Sequence, residues 1–294
     1  MVEFLIGVDG GGTGTRVRIV RAGSPDTEIA RGSSGPSALI LGIEKAWAAI
    51  VEAIDNAFAA AAIVRPPSNS MALGLGLAGV HNKQWAAELA EKNPGFGTVV
   101  IETDAFTTLL GAHGGKPGAI IAVGTGSVGE VLLPDGVRRE VCGWGFPTDE
   151  GSGSWMGLRA MNHIQHVLDG RAPSNEFARA AIDFCGGSRD SVYGWLARSN
   201  QTAYAELAPI VIEYAASNSV ANAILAEAGR ELEKFANALD PSGQLPIAMC
   251  GGLSGPLRPY LPITMTARIT EPQADAAAGA LLMLQKHLKD TQSC

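Results

Sequence analysis

The stretch GVDGGGTGTRVRIV, residues 7–20, sets an aspartate and four glycines between two apolar segments. The alternating side chains of TRVRIV are typical of a half-exposed strand, so the stretch predicts a β-hairpin with the glycines at its tip. Such a tip needs roughly two glycines. Additional glycines let the backbone approach a ligand and point several N–H groups at it, and phosphate is the usual ligand of such a cradle. The alternative is a loose hairpin with a solvated aspartate.

A second segment repeats this form. VGTGSVGEV (123–131) and GGTGTRVRI (11–19) both read as an apolar strand, a G-T-G-[ST] tip and a second strand, 112 residues apart. The repeat predicts a duplicated domain, in which two hairpins could hold one polyphosphate from both sides. A chance match of short Gly- and Thr-rich strings is the alternative.

Asp104 stands at a strand-to-helix junction. The segment VVIETDAFTTLLGA (99–112) places it just past an apolar strand and at the start of a helix. One interpretation is an N-cap aspartate, which is common there. The other is a general base, because α/β proteins gather functional groups at the carboxyl ends of strands. Nearby helix N–H groups would keep the carboxylate ionised.

The segment CGWGFPTDEGSGSWMGLRAM (142–161) holds Asp149 and Glu150 between two groups of glycines, ahead of an apolar helix. Capping of that helix is the simplest role for these carboxylates. Trp144 adds a large ring to the same segment. Ring faces contact the C–H faces of sugars and carboxylates accept hydrogen bonds from sugar hydroxyls, so the segment also fits a sugar site.

Two more glycine-rich segments accompany apolar strands. MALGLGLAG (71–79) contains G-x-G-x-x-G, and Glu102 closes the next strand, which together match the dinucleotide-binding fingerprint and leave NAD binding as an alternative. In IAMCGGLSGPL (247–257), Gly251 and Gly252 form either a simple strand-to-helix turn or a backbone surface for a flat ligand.

The composition describes a globular chain. Of its 294 residues, 46% are hydrophobic and 17% charged, enough for one large or two medium domains. The net charge is −7 and Lys and Arg do not cluster, so we expect no nucleic-acid partner. The apolar runs are too short to span a bilayer, and the first carries Glu3 and Asp9 instead of the basic start of a secretory signal. We therefore expect no membrane partner and a cytoplasmic location. The cysteines are scattered without a C-x-x-C pair, which fits reduced thiols: Cys142, Cys185, Cys250 and Cys294.

Hydrophobic periodicity predicts alternating strands and helices, which is typical of layered α/β proteins. Strands are predicted at 2–8, 15–21, 71–77, 98–102, 118–123, 128–133, 245–250 and 263–269. Helices are predicted at 43–62, 83–92, 105–113, 150–168, 174–185, 202–216, 218–238 and 273–288.

Taken in order, DGGGTGT, ETDAFTTLLGA, AVGTGS, GWGFPTDEGSG and CGGLSG resemble the motifs of the BadF/BadG/BcrA/BcrD-type ATPase family. Within it the chain looks most like N-acetylglucosamine and glucosamine kinases, in the superfamily of actin, sugar kinases and heat-shock chaperone ATPases. The resemblance implies two ribonuclease H-like (actin-like ATPase) α/β domains with a nucleotide cleft between them. The expected domains are 1–115 and 116–272, with a final helix at 273–290 that packs back on the first.

The same resemblance implies roles for individual residues. Asp9 would hold Mg²⁺, and Asp104 would be the catalytic base. The ATP phosphates would contact Gly11, Gly12, Thr13 and Thr125. The adenosine would be bordered by Gly251, Gly252 and Ser254. The sugar would be bound by Ser37, Asp104, Ser127, Val128, Gly143, Trp144, Gly145 and Asp149. The implied reaction transfers a phosphoryl group from ATP to the 6-hydroxyl of the sugar.

One segment departs from the family pattern. N-acetylglucosamine kinases of this type often carry Asn and Trp where GPSALILG (35–42) has Ser37 and Leu39. Free glucosamine is therefore at least as good a candidate substrate as N-acetylglucosamine. Other hexoses stay open, because one pocket residue changes discrimination by only a few kcal/mol.

Two other functions stay open. An ATPase that activates a dehydratase by electron transfer needs paired cysteines for an iron–sulfur cluster, whereas Cys142 stands alone before GWG. A sugar sensor without catalysis is the second, although Asp9, Asp104 and both hairpins are intact. Family members often dimerise, so a homodimer is an open expectation, but no exposed stripe in the sequence identifies its interface.

Overall fold

The computed structural model describes residues 2–292. Its strands are β1 (Phe4–Gly10), β2 (Thr15–Arg21), β3 (Ser24–Ser34), β4 (Met71–Leu77), β5 (Thr98–Glu102), β6 (Gly118–Val123), β7 (Ser127–Leu132), β8 (Arg138–Cys142), β9 (Ile247–Cys250) and β10 (Ile269–Thr270). Its α-helices are α1 (Ile43–Ala60), α2 (Lys83–Glu91), α3 (Asp104–His113), α4 (Gly153–Leu168), α5 (Glu176–Phe184), α6 (Arg189–Leu196), α7 (Gln201–Ala205), α8 (Ala208–Tyr214), α9 (Ser219–Leu239), α10 (Ser254–Leu257), α11 (Ile263–Thr266) and α12 (Ala276–Gln292).

Most predicted elements are present. Strands β2, β4, β5 and β6 have the predicted bounds, and helices α1, α4 and α9 begin and end within three residues of the predicted ones. These elements carry strong apolar periodicity over their whole length, which is the signal that local sequence provides.

Three predictions are wrong or incomplete. The predicted strand at 263–269 is mostly helix α11, because its alternating residues make one helical turn that buries Met265. The predicted helix at 202–216 is divided into α7 and α8, and Pro209 lies in the first turn of α8, where its missing N–H is tolerated. The edge strands β3 and β8 and the short helix α6 lie outside the predicted elements, since β3 and β8 are mostly polar and exposed.

The chain divides into two compact units, one formed by residues up to 117 with those from 271 onward, the other by 118–270. The domain boundaries expected from the sequence differ from these by two residues. The sheet of the first unit has the order β3-β2-β1-β4-β5. Strands β1, β2 and β3 are antiparallel neighbours, while β4 and β5 add in parallel.

Helix α1 covers one face of this sheet. Its apolar stripe recurs at helical spacing, so that Ile50, Ile54 and Phe58 are almost completely buried against the strands. The buried side chains of β1 and β4 complete this core. The unit therefore has its own hydrophobic core.

Helix α12 packs against the sheet of the first unit through glycines. A methyl group on Gly7 of β1 would lie 2.0 Å from the Ala277 carbonyl oxygen, and one on Gly74 of β4 would lie 2.2 Å from that of Ala280. A methyl group on Gly76, also in β4, would lie 1.9 Å from Thr107 Oγ1 of α3. Gly74 and Gly76 therefore lie inside strand β4 and allow α12 and α3 to pack closely against it. The dinucleotide-binding interpretation requires these glycines in a strand-to-helix turn, so their packing role replaces it.

The second unit repeats the strand arrangement of the first. Its sheet has the order β10-β9-β6-β7-β8, in which β6, β7 and β8 are antiparallel and β9 and β10 add in parallel. The helices α4 to α9 connect β8 to β9, and α4 and α9 contribute Met156, Leu225 and Leu232 to its core. The two units thus share one arrangement, as the repeated motif predicts, with corresponding hairpins β1–β2 and β6–β7, and it is the ribonuclease H-like arrangement that the family resemblance implies. No helix within residues 2–292 combines the length and apolarity needed to cross a membrane.

Candidate active site

The segment that follows β3 anchors the first hairpin tip, residues 11–14, by backbone hydrogen bonds. The Gly11 N–H donates to the Gly14 carbonyl over 3.0 Å, and the Gly11 carbonyl accepts from the N–H groups of Ser37 and Ala38 over 3.1 and 3.2 Å. Gly12 and Thr13 are exposed. The anchored tip therefore presents backbone and a hydroxyl to solvent without using them in its own structure.

Ser37, expected at the sugar, lies beneath this tip. Its side chain is 0% exposed, and its hydroxyl accepts a 2.7 Å hydrogen bond from Thr15 Oγ1. A methyl group on Gly10 would lie 2.1 Å from Ser37 Oγ, so Gly10 leaves room for this contact. Leu39 is also buried. This placement suits residues that position the tip.

Asp9 is half-buried at the end of β1, directly across from Arg16 in the β1–β2 register. Arg16 Nη1 lies 3.4 Å from Asp9 Oδ2. Burial raises the pKa of Asp9, Arg16 opposes this, and the charges of Asp104 and Asp275 raise the pKa further. The loose hairpin with a solvated aspartate is thus not what forms. Instead, three carboxylates of the first unit share one electrostatic environment.

Asp104 is the first residue of α3, and its neighbour performs the capping. Thr103 Oγ1 accepts the N–H of Phe106 over 3.1 Å, so the N-cap interpretation of Asp104 is wrong. Asp104 Oδ1 accepts the N–H of Ala105 over 3.0 Å. Burial raises the pKa of Asp104, while the backbone N–H groups and His81 partly oppose this. Asp104 is therefore not the N-cap residue of α3, although it accepts one N–H of the first turn, and its pKa lies above that of an ordinary aspartate.

The second hairpin tip, 124–126, is fixed by the start of α4. The Gly153 and Ser154 N–H groups donate to the Gly124 and Thr125 carbonyls over 2.8 and 3.1 Å. Thr125 is exposed. This tip, like the first, has its carbonyls bound by a neighbouring segment and its threonine at the surface.

Asp149 is buried beside the second tip. Its Oδ1 accepts the N–H of Gly145 over 2.7 Å, and a methyl group on Gly126 would lie 2.6 Å from its Oδ2. Ser152 caps α4 by accepting the N–H of Trp155, so capping by Asp149 or Glu150 is wrong. Asp149 instead ties the segment before α4 to the tip.

The other residues of the second unit expected at the sugar lie on β7 and on the turn that leads to Asp149. Ser127 is buried and donates to the Glu150 carbonyl over 2.6 Å, and the Gly143 N–H donates to the Ser127 carbonyl. Val128 is half-buried. Positive φ angles at Cys142, Gly143 and Gly145 make a sharp turn, on which Trp144 is 85% exposed. The ring is available at the surface of the second unit.

The loop after β9 joins the second tip. The Leu253 N–H donates to the Val123 carbonyl over 3.1 Å, immediately before the tip. Position 251 requires glycine, because its φ is +86° and a side chain there would also meet the Val123 backbone. Gly252 has open space around it, and Ser254 Oγ donates to the Gly251 carbonyl. The second unit therefore brings the tip with Thr125, the loop after β9 and the segment around Asp149 next to one another.

Two residues at these places lie outside the sequence expectations. Arg16 lies two residues after the first tip. Pairing the two strands of the predicted hairpin across its tip is the signal that could have placed Arg16 opposite Asp9. Gln201 reaches the second tip, because its Nε2 would lie 3.2 Å from a methyl group on Gly126. The tip precedes Gln201 by 75 residues, and no local sequence signal connects the two.

Within residues 2–292, no group of three or more His, Cys, Asp or Glu side chains could hold a metal ion by itself. His163 stacks on Phe177 and pairs with Asn175, which is a structural role. The thiols of Cys142, Cys185 and Cys250 are free, and Cys294 lies outside the described residues.

The repeated ribonuclease H-like units and their hairpins define the actin-like class of ATPases and sugar kinases. Residues 6–283 match the BadF/BadG/BcrA/BcrD ATPase family, and the chain belongs to it. The family and fold class expected from the motifs are thus confirmed.

Similar proteins within this class are amino-sugar kinases. The chain is 31% identical to the glucosamine kinase of Vibrio cholerae over 97% of each protein. It is 27% identical to the N-acetyl-D-glucosamine kinase of Dictyostelium discoideum over 85% of each. The crystal structure of a candidate N-acetylglucosamine kinase from Chromobacterium violaceum is 47% identical, covers 97% of this chain and 99% of its own, and has a TM-score of 0.91.

Proposed function

We propose that this chain is an ATP-dependent kinase that phosphorylates the 6-hydroxyl of an amino sugar, glucosamine or N-acetylglucosamine. The full-length similarity to the glucosamine kinase of Vibrio cholerae carries the proposal. The intact Asp9, Asp104 and both hairpin tips support catalysis over a sugar sensor. The free thiol of Cys142 has no cysteine beside it in the sequence, which disfavours an iron–sulfur activator.

Asp104 acts as the general base. The oxygen of the sugar hydroxyl forms a bond to the γ-phosphorus of ATP, the bond from that phosphorus to the ADP oxygen breaks, and the hydroxyl proton passes to the Asp104 carboxylate. The raised pKa of Asp104 brings the base nearer to the operating pH, which favours proton acceptance. Its fixed position at the start of α3 orients the hydroxyl.

Asp9 is the residue that would hold Mg²⁺. Burial raises the pKa of Asp9, the negative charges of Asp104 and Asp275 raise it further, and a bound divalent cation would offset both effects. A single carboxylate, completed by water and substrate phosphates, suits this ion. When bound, Mg²⁺ supplies charge neutralisation for the phosphate oxygens.

The exposed tips supply the nucleotide contacts. In the first unit, Gly11, Gly12 and Thr13 offer backbone N–H groups and a hydroxyl to phosphate, and in the second unit Thr125 offers a hydroxyl. Gly251, Gly252 and Ser254 border the adenosine, and the open space at Gly252 supports close approach of a flat base.

The sugar is bound by the group around Asp149. Its members are Ser127, Val128, Gly143, Trp144, Gly145 and Asp149. The exposed Trp144 ring offers its face to the sugar C–H groups, and the Asp149 carboxylate accepts from its hydroxyls. Ser37 contributes indirectly by holding the first tip through Thr15.

The experiment is an ADP-release assay with Mg–ATP and a panel of glucosamine, N-acetylglucosamine, glucose and no sugar, with identification of the sugar phosphate. We expect release that depends on an amino sugar and yields its 6-phosphate. Asp104→Asn should lower kcat by at least ~10²-fold with little change in KM.

Asp26→Asn, which removes an exposed carboxylate of the same unit, is the matched control and should leave kcat unchanged. Near-normal turnover of Asp104→Asn would exclude Asp104 as the base. ADP release that ignores every sugar would exclude a sugar kinase.

A further inference from the structure

We propose that Arg16 binds the β- and γ-phosphates of ATP, moving from Asp9 to the phosphate chain when nucleotide arrives. This rests on the proposed function and assigns a further residue to the same site.

Arg16 lies at the base of the first tip. It pairs directly with Asp9 across the antiparallel strands, so both side chains project from the same face of the sheet. Thr15 and Val17, on either side of Arg16 in β2, point the other way and are buried. The guanidinium therefore lies next to the carboxylate of Asp9, the residue expected to hold the metal, at the base of the tip.

The side chain of Arg16 is free to move. It is 73% exposed and reaches Asp9 by one long contact of 3.4 Å. Arg18, two residues along the same strand, is the opposite case. It donates to both oxygens of Asp275 over 2.8 and 2.7 Å and also to Glu28, and is only 17% exposed. An exposed, long ion pair contributes little to stability, so releasing Arg16 from Asp9 is inexpensive.

The charge around the tip favours a cationic side chain. The negative charges of Asp104 and Asp275 act on Asp9, and ATP would bring several more negative charges to the tip. The second hairpin, 118–132, contains no Lys or Arg, and Arg16 is the cation nearest in sequence to either tip. A planar guanidinium donates in pairs to phosphate oxygens, and such donors stabilise the charge that spreads over them during transfer.

The test compares Arg16→Gln and Arg16→Lys with wild type in calorimetric binding of a non-hydrolysable Mg–ATP analogue and of AMP, without sugar. Arg21→Gln is the matched control, because Arg21 ends the same strand far from the tip, with its guanidinium over the Phe4 ring. Melting temperatures show whether each variant stays folded.

We expect Arg16→Gln to weaken the ATP analogue about 10- to 100-fold, the loss typical of a charged hydrogen bond, and to leave AMP binding unchanged. Arg16→Lys should be intermediate, and Arg21→Gln should match wild type. In the kinase assay, kcat of Arg16→Gln should fall while the KM for sugar stays the same.

Wild-type affinity of Arg16→Gln for the ATP analogue would overturn the proposal, and so would an equal loss for the analogue and AMP, which indicates a structural role. If the wild-type enzyme phosphorylates sugar and Arg16→Gln binds the ATP analogue and turns over like wild type, only the role of Arg16 is refuted. If the wild-type protein does not bind the ATP analogue, the proposed kinase function itself is refuted.

Discussion

At the scale of single residues, the capping of α3 decides what Asp104 can do. Because Thr103 accepts the N–H of Phe106, the Asp104 carboxylate is available for chemistry, and burial raises its pKa above the ordinary value of 3.8. The same arrangement recurs where Ser152 caps α4 and leaves Asp149 to hold Gly145. At both places a hydroxyl, and not the carboxylate, provides the N-cap of the helix.

The raised pKa of Asp104 predicts the acid side of the pH profile. The base must be ionised, so kcat/KM for the sugar at saturating Mg–ATP should fall as pH drops through the pKa of Asp104, above the range of an ordinary aspartate. The measurement is kcat/KM from pH 4 upward, with circular dichroism to verify folding at each pH. Constant kcat/KM down to the ordinary aspartate range would contradict it.

The same shift predicts an effect on stability with a defined sign. Because the pKa of Asp104 is higher in the folded than in the unfolded chain, the folded state loses stability as pH rises through that pKa, and the full penalty is present at pH 7. Asp104→Asn should therefore melt at a higher temperature than wild type at pH 7. The difference should shrink toward pH 4, where the carboxyl of both states becomes protonated. Asp26→Asn is the control, and a lower melting temperature of Asp104→Asn at pH 7 would refute the argument.

At the scale of elements, glycines fix helix α12 against the first unit. A methyl group on Gly279 of α12 would lie 1.8 Å from the Thr107 carbonyl oxygen of α3, and one on Gly111 of α3 would lie 2.1 Å from that of Asp275. Since these partners are backbone atoms, they cannot turn aside as a side chain can. The contact is therefore specific to glycine at both positions.

Gly279→Ala should lower the free energy of unfolding by about 2–3 kcal/mol, because two helices must separate to admit the methyl group. Gly23→Ala is the matched control, since Gly23 has open space around it and should change stability by no more than about 0.5 kcal/mol. Urea unfolding of the three proteins measures both values. Equal stability of Gly279→Ala and wild type would show that the helices do not pack this closely.

At the scale of the whole molecule, two units of the same strand order each carry one hairpin tip. Family membership and the packing role of Gly74 and Gly76 favour ATP over NAD as the nucleotide. A ligand bound only by the folded chain raises its stability, by about 2.7 kcal/mol at a hundredfold excess over Kd. Mg–ATP should therefore raise the melting temperature and NAD should not. Protection by NAD alone would restore the dinucleotide alternative.

The sequence alone determined both hairpins, the bounds of the strongly periodic strands and helices, and the family, because glycine tips and apolar periods are local properties of the chain. Only the tertiary structure decided that Ser37 lies under the tip and that hydroxyls, and not Asp104 or Asp149, cap the two helices. It also decided that Gly76 and Gly279 allow neighbouring elements to pack closely. It also decided the polar edge strands β3 and β8, which the ladders of β2 and β7 stabilise. These features depend on contacts between segments far apart in the chain, such as Thr107 with Gly279, whose geometry no local pattern encodes.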